Sequence, residues 1–374
     1  MSFDLPGLGD IREINQEYVE QEHSMSQSSR LFRRLALGCA AVLLAGFTST
    51  AEADDEVIIA VGGGLFERGL SENIAAAFTR ETGIDVQFVA ASPGERAARV
   101  KAMAEAGRFE WDIVLSSERH ARLLSDSLLM GICDSANLTD KVVEGGCKDF
   151  GALGIVGGLP LVQRTDKFDG EIMESWADFF DVERFPGPRG LPNYGNPLVV
   201  IAPALLASGV PADELYPIDF DRAFEVLDRV KPEIAVWWRS GDQSQQIFRS
   251  EEAVAGQLWS GRALGLVNEG MPLKVVWEGA PADEAYWVVL EKGPNTENAL
   301  KFLEFYYGST EGHAEFFEMT NWDTANRAYL EGLPEDERAN HPGLFVDKML
   351  KEDYAWSVPN ADETLRRWNE WLSR

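Results

Sequence analysis

Residues 57–73 read VIIAVGGGLFERGLSEN and decide how the fold begins. The apolar run before the glycines predicts a buried strand. After the glycines, apolar side chains recur every fourth position at Phe66, Leu70, Ile74 and Phe78, which predicts a helix with one buried face. A strand, a glycine turn and a helix form the opening unit of a sheet that is covered by helices.

The same stretch comes close to a phosphate-binding loop, which needs the pattern G-x-x-x-x-G-K-[ST] after a strand. Gly64, Gly69 and Ser71 occupy the required positions, but Leu70 stands in place of the lysine. Because Leu70 belongs to the apolar row, it is expected to face the sheet rather than a phosphate. We therefore interpret the glycines as a turn at a strand end, where backbone N–H groups and a helix start approach a ligand closely.

Two further strands follow this helix. Ile84, Val86 and Phe88 alternate with polar residues, and WDIVLSS (residues 111–117) comes after a helical stretch at about 95–106. Short links between strands and helices favour a largely parallel sheet, in which ligands bind beyond the carboxyl ends of the strands. From about residue 155 the alternation repeats. Its predicted strands lie near 154–164, 234–238, 273–277 and 285–290, and its predicted helices near 219–231, 240–250 and 297–308, with a helical C-terminal tail.

Residues 1–53 have the features of a targeting segment. Arg30, Arg33 and Arg34 precede a short apolar run, and an A-x-A motif ends at Ala53. This pattern predicts a signal peptide that is cleaved near Ala53 and a periplasmic mature protein. The run is shorter than the roughly 20 residues of a membrane span, so no direct membrane insertion is expected.

The start of the chain leaves two points open. Met25 is a plausible true start, with residues 1–24 as an over-extended beginning. A lipid anchor at Cys39 is the less favoured alternative, because this cysteine lies early in the apolar run and Ala36 replaces the leucine of a lipoprotein box.

The chain carries a net charge of −28, which argues against nucleic acid and anionic membranes as partners, because both need basic patches. Cys133 and Cys147 remain after the predicted cleavage. In an exported protein, a disulfide closing this short loop is the natural interpretation, with two unpaired thiols as the alternative.

Catalytic and metal-binding motifs are missing from the sequence. His120, His313 and His341 are not spaced as metal ligands, and neither H-E-x-x-H, C-x-x-C nor G-x-S-x-G occurs. No cofactor, no metal and no enzymatic chemistry are therefore predicted. An exported hydrolase that uses a carboxylate pair remains an alternative, since acidic residues are abundant.

Aromatic residues beside glycines or at strand ends stand out instead. They are Trp237 and Trp238, Trp259 in QLWSGRALG, and Tyr286 and Trp287. Neighbours on a strand face opposite ways, so one residue of each adjacent pair is expected in the core and the other towards a cleft or solvent. Such tryptophans suit flat or cationic ligands through stacking and cation–π contact, with pure packing as the alternative.

Several segments in order resemble a family. The opening strand, the Gly-Gly loop, AFTRETGIDV, WDIVLSS and SWADFFDVERFPGPRGLPN are similar to bacterial periplasmic solute-binding proteins of the spermidine/putrescine type. LYPIDFDRAFEVLDRVKPEIAVWWRSGDQSQQIF, QLWSGRALGLVNEGMPLKVVWEG, AYWVVLEKGPNTENALKFLEFYYG and RRWNEWL continue this similarity over nearly the whole mature chain.

The resemblance implies an α/β fold of two lobes, each a mostly parallel sheet flanked by helices, with the ligand cleft at the hinge. We expect the first lobe at 54–155 and 273–309 and the second at 156–272 and 310–374. It also implies a monomer that captures a small-molecule solute by lobe closure and delivers it to an ABC permease in the inner membrane. The alternatives are an exported enzyme on the same scaffold and a ligand-presenting partner of a membrane sensor.

The resemblance also suggests which residues bind the solute. Those expected to contact it are Gly63, Gly64, Leu65, Ser116, Ser117, Tyr194, Asn196, Trp238, Ser240, Gln243, Trp259, Arg262, Tyr286 and Trp287. Each has a structural alternative: the serines are also suited to cap helices, Arg262 to be a surface base and Tyr286 to lie in the core.

The charge of the ligand stays open at this point. Polyamine binders of the family place carboxylates in the cleft, yet Arg262 stands where some carry an aspartate, and Trp287 where others carry one. Substitute acids for a polyamine-like cation are Asp283, Glu284, Asp242, Glu67 and Glu118. An arginine in the cleft instead favours a small carboxylate or a zwitterion such as an amino-acid derivative, through charge-assisted bidentate contact.

Overall fold

The computed structural model describes residues 55–193 and 195–374, which form two β-sheets flanked by helices. The predicted signal peptide, its cleavage position and Tyr194 lie outside these residues. The strands are β1 (Glu56–Val61), β2 (Asp85–Ala90), β3 (Ile113–Ser116), β4 (Cys147–Lys148), β5 (Gly151–Gly158), β6 (Leu161–Arg164), β7 (Arg189–Pro192), β8 (Ile234–Trp238), β9 (Ala255–Gln257), β10 (Leu273–Val276), β11 (Ala282–Val289) and β12 (Asp323–Thr324).

Helices connect and cover the strands. They are α1 (Leu65–Gly69), α2 (Ala76–Thr82), α3 (Pro93–Ala106), α4 (Glu118–Leu123), α5 (Ile132–Ser135), α6 (Trp176–Phe180), α7 (Leu198–Ala207), α8 (Phe220–Val230), α9 (Gly241–Arg249), α10 (Ser260–Asn268), α11 (Thr296–Gly308), α12 (His313–Thr320), α13 (Arg327–Glu331), α14 (Tyr354–Ser357) and α15 (Ala361–Leu372). A π-helical segment, Leu70–Ala75, joins α1 to α2, and short 3₁₀ turns occur at Ser125–Ser127, Ala212–Glu214, Lys231–Glu233, Arg338–Asn340 and Pro342–Phe345.

The opening unit has the predicted form. Gly64 turns the chain between β1 and α1 with φ +77°, a value that side chains rarely adopt. Leu70, Ile74 and Phe78 are buried on one face of the following helical run, as the spacing of apolar residues indicates. Gly83 ends this run in the left-handed conformation, with φ 77°.

The first sheet has the order β12-β5-β11-β3-β1-β2, with β4 paired to β5. Only the β2–β1–β3 part is parallel, as expected from the short strand–helix links. β11 runs antiparallel to both β3 and β5, because it enters this sheet from the opposite direction after leaving the second sheet. The first sheet is therefore mixed rather than mostly parallel.

The second sheet has the order β10-β6-β9-β7-β8. β7 is parallel to β8 and β9, whereas β6 is antiparallel to β9 and β10. Each sheet has its own hydrophobic core: Phe78, Trp287 and Tyr306 belong to the first, and Phe179, Trp238 and Trp368 to the second. Two separate cores confirm the predicted two-lobe architecture.

Three chain segments pass between the two sheets side by side. Leu159, between β5 and β6, donates its N–H to the carbonyl oxygen of Pro281 at 2.9 Å. Ala282 donates to the carbonyl oxygen of Leu350 at 3.0 Å, and Leu350 donates to that of Ala280 at 2.9 Å. The three crossings thus form a small hydrogen-bonded ribbon, which we call the hinge.

Sheet membership differs from the expected lobe boundaries at two segments. β10 was expected in the first lobe, but it pairs with β6 in the second sheet. The segment that begins at residue 310 was expected in the second lobe, yet its strand β12 pairs with β5 in the first sheet. Pairing between strands that are distant in the chain decides this membership, and a local apolar pattern carries no information about it.

Candidate functional site

A cavity of about 810 Å³ lies where both sheets and the hinge meet. The first sheet and its helices contribute Gly63, Leu65, Phe66, Ser117, Met319, Thr320, Asn321 and Trp322. The hinge contributes Leu159, Pro281, Ala282, Asp283, Glu284, Leu350, Lys351 and Glu352. The second sheet and its helices contribute Asn196, Leu198, Val199, Ala202, Tyr216, Gln245, Trp259, Gly261, Arg262 and Gly265, and Tyr354 of α14 completes the lining.

Six residues that the sequence predicted as ligand contacts line this cavity: Gly63, Leu65, Ser117, Asn196, Trp259 and Arg262. At Gly63, an added Cβ would lie 3.1 Å from the Cβ of Ala90, so the loop stays close to the neighbouring strand. Leu65 exposes 54% of its surface directly after this loop, as an apolar contact at the cavity wall. Ser117 also caps α4, since its Oγ accepts the N–H of His120 at 3.4 Å.

Other predicted contacts lie elsewhere. Ser116, Trp238, Tyr286 and Trp287 are buried, and Gly64 is exposed in the loop beside the cavity. The Oγ of Ser240 accepts the N–H of Gln243 at 3.2 Å to cap α9.

Packing explains why neither aromatic pair, Trp237 with Trp238 or Tyr286 with Trp287, lines the cavity. The indole N–H of Trp238 donates to the carbonyl oxygen of Gln257 at 2.9 Å, and its ring meets Trp259 edge-on at 4.9 Å. Trp237 packs on Trp368 and Trp371 of the C-terminal helix. Tyr286 and Trp287 both belong to the first core. The prediction that one member of each pair faces a cleft or solvent is therefore wrong for Tyr286 and Trp287, which are both buried in the first core. In the other pair Trp238 is buried and Trp237 is half-buried against the C-terminal helix, so neither lines the cavity.

Arg262 is held by the first two turns of α9. A Cβ on Gly241 would lie 2.5 Å from Nε of Arg262, so the guanidinium occupies the space of the missing side chain. Its Nη1 contacts Asp242 Oδ1 at 3.0 Å and Gln245 Oε1 at 3.5 Å. Gln245 also donates from Nε2 to the carbonyl oxygen of Arg262 at 3.0 Å. Gly241, Asp242 and Gln245 thus lie on one side of α9, where the glycine leaves space for the side chain of Arg262 and the acid and the amide contact its guanidinium.

Carboxylates converge at the hinge end of β11. Burial and repulsion from Glu284 raise the pKa of Asp283 to about 6. Glu284 forms an ion pair with Lys351 and accepts the hydroxyl of Tyr286 at 2.9 Å. Glu352 accepts the hydroxyl of Ser357 at 2.5 Å and the side-chain amide of Asn196 at 3.5 Å. The cavity therefore holds positive and negative groups together.

Several residues that line the cavity were not predicted from the sequence. Trp322 is the largest of them: a Cβ on Gly157 would lie 2.7 Å from its ring, and one on Gly261 would lie 3.1 Å from its Nε1. Tyr216 and Tyr354 bring two phenols whose pKa values are raised by burial and by nearby acids. Lys351 and Glu352 come from the third hinge crossing. The sequence signal for Trp322 is the pair of glycines at 157 and 261, because a glycine marks a position where another part of the chain can approach the backbone closely.

Three findings concern the chain outside the cavity. Cys133 and Cys147 form a disulfide, with their Cα atoms 6.1 Å apart, as predicted. Among the described residues, no group of three or more histidine, cysteine, aspartate or glutamate side chains is placed to hold a metal ion. In the same part of the chain, no helix has the length and apolar character needed to cross a membrane.

Several known proteins are similar to this chain in sequence or in fold. The gamma-aminobutyric acid-binding protein of Pseudomonas aeruginosa is 29% identical over 361 residues, which cover 94% of this chain and 99% of the relative. The spermidine/putrescine-binding periplasmic protein 1 of Haemophilus influenzae is 23% identical over 327 residues, covering 84% and 87%. The solved structure of the Atu4243–GABA receptor has a TM-score of 0.70 and 29% identity, covering 85% of this chain and 97% of that one.

The family expected from the order of sequence segments is confirmed by these relatives and by residues 73–345, which match the family described as bacterial extracellular solute-binding protein. This match spans well over half of the chain. The protein belongs to the bacterial extracellular solute-binding protein family, and its role is to bind a solute.

Proposed function

We propose that this protein is the periplasmic substrate-binding component of an ABC importer. Its solute is a small zwitterion with a carboxylate at one end and an ammonium at the other, of which gamma-aminobutyric acid (GABA) is the simplest example. Two of the proteins described above carry this compound in their names. Delivery is to an inner-membrane permease, and the receptor works as a monomer.

One observation carries the choice of ligand: Arg262 and the acids Asp283 and Glu284 line the same cavity. The side chain of Arg262 is 46% exposed and lines the cavity, so its guanidinium is within reach of a ligand carboxylate. Charge-assisted pairing with a carboxylate is the interaction for which arginine geometry is suited. The acids at the hinge end of β11 offer the counter-charge for the ammonium.

A polyamine fits this arrangement less well. The Haemophilus influenzae relative is named for spermidine and putrescine, and Asp283, Glu284 and Glu352 would suit two ammonium groups. Putrescine would, however, bring a second positive charge into the cavity that holds Arg262. Like charges in a partly buried site repel each other. A diamine therefore lacks the favourable contact with Arg262 that the carboxylate of a zwitterion makes.

Binding is expected to work by closure of the lobes. Arg262 belongs to α10, which packs with the second core, whereas Asp283 and Glu284 lie on β11 of the first sheet. A ligand that contacts both groups binds the closed arrangement better than the open one and shifts the population towards it. The three hydrogen-bonded crossings of the hinge allow this movement without breaking either sheet.

Isothermal titration calorimetry tests the proposal with GABA, β-alanine, glycine betaine, putrescine and spermidine. We expect GABA or β-alanine to bind most tightly. Arg262→Ala should weaken this binding by about 10- to 100-fold, the effect of losing a hydrogen bond to a charged group. The matched control is Arg249→Ala, which removes an arginine that pairs with Glu269 at 2.7 Å and does not line the cavity.

Two results would contradict the proposal. Tight putrescine binding without GABA binding would favour the polyamine receptor. An exported enzyme on the same scaffold would convert the bound compound, so NMR spectra of GABA incubated with the protein should show it unchanged.

A further inference from the structure

We propose that Asp242 and Lys351 are resident counter-ions of the cavity, which the ligand's carboxylate and ammonium displace from Arg262 and Glu284. This inference rests on the proposed zwitterion-binding function and adds a competitor for each end of the ligand. Binding is then an exchange of ion pairs rather than the filling of unpaired charges.

The first pair is geometrically suited to exchange. Asp242 contacts Nη1 of Arg262 at 3.0 Å, yet its own side chain is 88% exposed. The same Nη1 lies 3.5 Å from Oε1 of Gln245, a residue of the cavity wall, whereas Asp242 is not part of that wall. An arriving carboxylate can therefore take the place of Asp242 at Nη1 while Gly241 and Gln245 keep the guanidinium in position.

The second pair lies at the hinge, where both of its residues line the cavity. Lys351 pairs with Oε1 of Glu284, and its side chain is 49% exposed, while that of Glu284 is only 10% exposed. Oε2 of Glu284 accepts the hydroxyl of Tyr286 at 2.9 Å, so the carboxylate is fixed on its strand. The flexible partner is the lysine, which can turn into solvent when a ligand ammonium takes its place.

Asp242 and Lys351 are each more exposed to solvent than the group that they neutralise. In each pair the group that the ligand is proposed to contact is the more buried partner and its counter-ion is the more exposed one. Ion pairs with an exposed partner contribute little, because solvent screens them and the side chain loses entropy. Each pair is thus weak enough to be displaced, and it keeps a charged group compensated until the ligand arrives.

Because GABA is a zwitterion, its affinity distinguishes competition by a resident counter-ion from the long-range effect of changing the charge of the protein. GABA carries no net charge at pH 7, so a change in the distant charge of the protein acts on its two ends with opposite sign and nearly cancels. Removal of a resident counter-ion acts on one end only, because it frees a group that the ligand itself contacts. A change in GABA affinity therefore reports competition at that group.

The experiment compares Asp242→Asn and Lys351→Met with two charge-matched controls. Glu269→Gln removes the acid of an exposed arginine pair away from the cavity, and Lys348→Met removes an exposed lysine that does not line the cavity. Titration calorimetry gives the dissociation constants for GABA and putrescine, and thermal melting verifies that each variant is folded.

We expect Asp242→Asn and Lys351→Met each to bind GABA about two- to fivefold more tightly than the wild type, the range set by an exposed ion pair. Glu269→Gln and Lys348→Met should leave the constant unchanged. Asp242→Asn should not tighten putrescine, which has no carboxylate to take its place on Arg262.

Each variant decides for its own pair. Suppose that the wild type binds GABA and that a variant binds it equally well or more weakly. The counter-ion role of the substituted residue is then overturned, and the proposed function remains intact. Failure of the wild type to bind both GABA and β-alanine overturns the proposed function and this inference with it.

Discussion

Gly241 and Arg262 occupy one another's space: a Cβ on Gly241 would lie 2.5 Å from Nε and 3.0 Å from Cζ of the guanidinium. The atoms that would clash belong to the end of a flexible side chain and not to the backbone. A side chain at position 241 is therefore expected to displace the guanidinium while the fold remains. Among residues 55–193 and 195–374, Arg262 is the only arginine that lines the cavity, and glycine at position 241 leaves room for its guanidinium.

Gly241→Ala should consequently weaken GABA binding by about tenfold, because the carboxylate meets a guanidinium that has left its position. The melting temperature should change little. The control is Gly94→Ala, since Gly94 also lies in the first turn of a helix and a Cβ there meets no atom within 4 Å. Equal effects of both substitutions on GABA affinity would contradict a positioning role for Gly241.

Asp283 should make binding dependent on pH. Its pKa is raised to about 6 by burial and by Glu284, so the carboxylate becomes protonated as the pH falls from 7 to 5. An ammonium ligand then loses a counter-charge, and GABA affinity should fall by up to tenfold per pH unit below the pKa. Calorimetric titrations between pH 5 and pH 8 measure this profile.

Asp283→Asn supplies the control for the pH effect. The variant should bind GABA more weakly at pH 7 and show a flatter profile between pH 5 and pH 7. The raised pKa also means that the stability contribution of Asp283 is present below the unfolded-state pKa of about 4 and lost as the pH rises through about 6. An unchanged profile in the variant would assign the pH dependence to another group.

Trp238 and Trp259 should separate stability from binding. Trp238 is fully buried in the second core, so Trp238→Ala should lower the free energy of unfolding by about 3–5 kcal/mol. Trp259 lines the cavity, and Trp259→Phe should change GABA affinity more than stability. Urea unfolding and calorimetry measure the two effects. A large loss of affinity in a folded Trp238→Phe variant would instead indicate a direct role for Trp238.

Reduction of the disulfide should lower stability without affecting the ligand. Cys133 and Cys147 are 14 positions apart, and closing a loop of this length restricts the unfolded chain by about 3 kcal/mol. Neither cysteine lines the cavity. Cys133→Ser/Cys147→Ser should therefore unfold at a lower urea concentration, with GABA affinity kept. Loss of binding in the folded double variant would argue against this separation.

The sequence predicts local structure well where one period dominates. The apolar row of Leu70, Ile74 and Phe78 specifies a helix with one buried face, and Gly83 specifies its end. Trp259 and Arg262 were recognised as cleft residues from the segment QLWSGRALG and its family resemblance. These features depend on neighbours in the chain, whose spacing is visible in the sequence.

Other site residues depend on contacts between distant segments. The sequence placed Trp287 at the ligand, but β11 is covered on both faces and its tryptophan packs against Phe302 and Tyr306. Trp322 and Lys351 were not predicted at all, because they reach the cavity only through the pairing of β12 with β5 and through the third hinge crossing.

By itself, the sequence determined the alternation of strands and helices and the family, because these rest on residue types in a fixed order and spacing. It favoured the disulfide between Cys133 and Cys147, which the structure then showed. The tertiary structure alone decided which sheet holds β10 and β12, and which aromatic residues are core. It also decided that Asp242 and Lys351 neutralise Arg262 and Glu284. The physical reason is that strand register and ion pairing join residues that are tens of positions apart, and those energies depend on distance in space rather than on order in the chain.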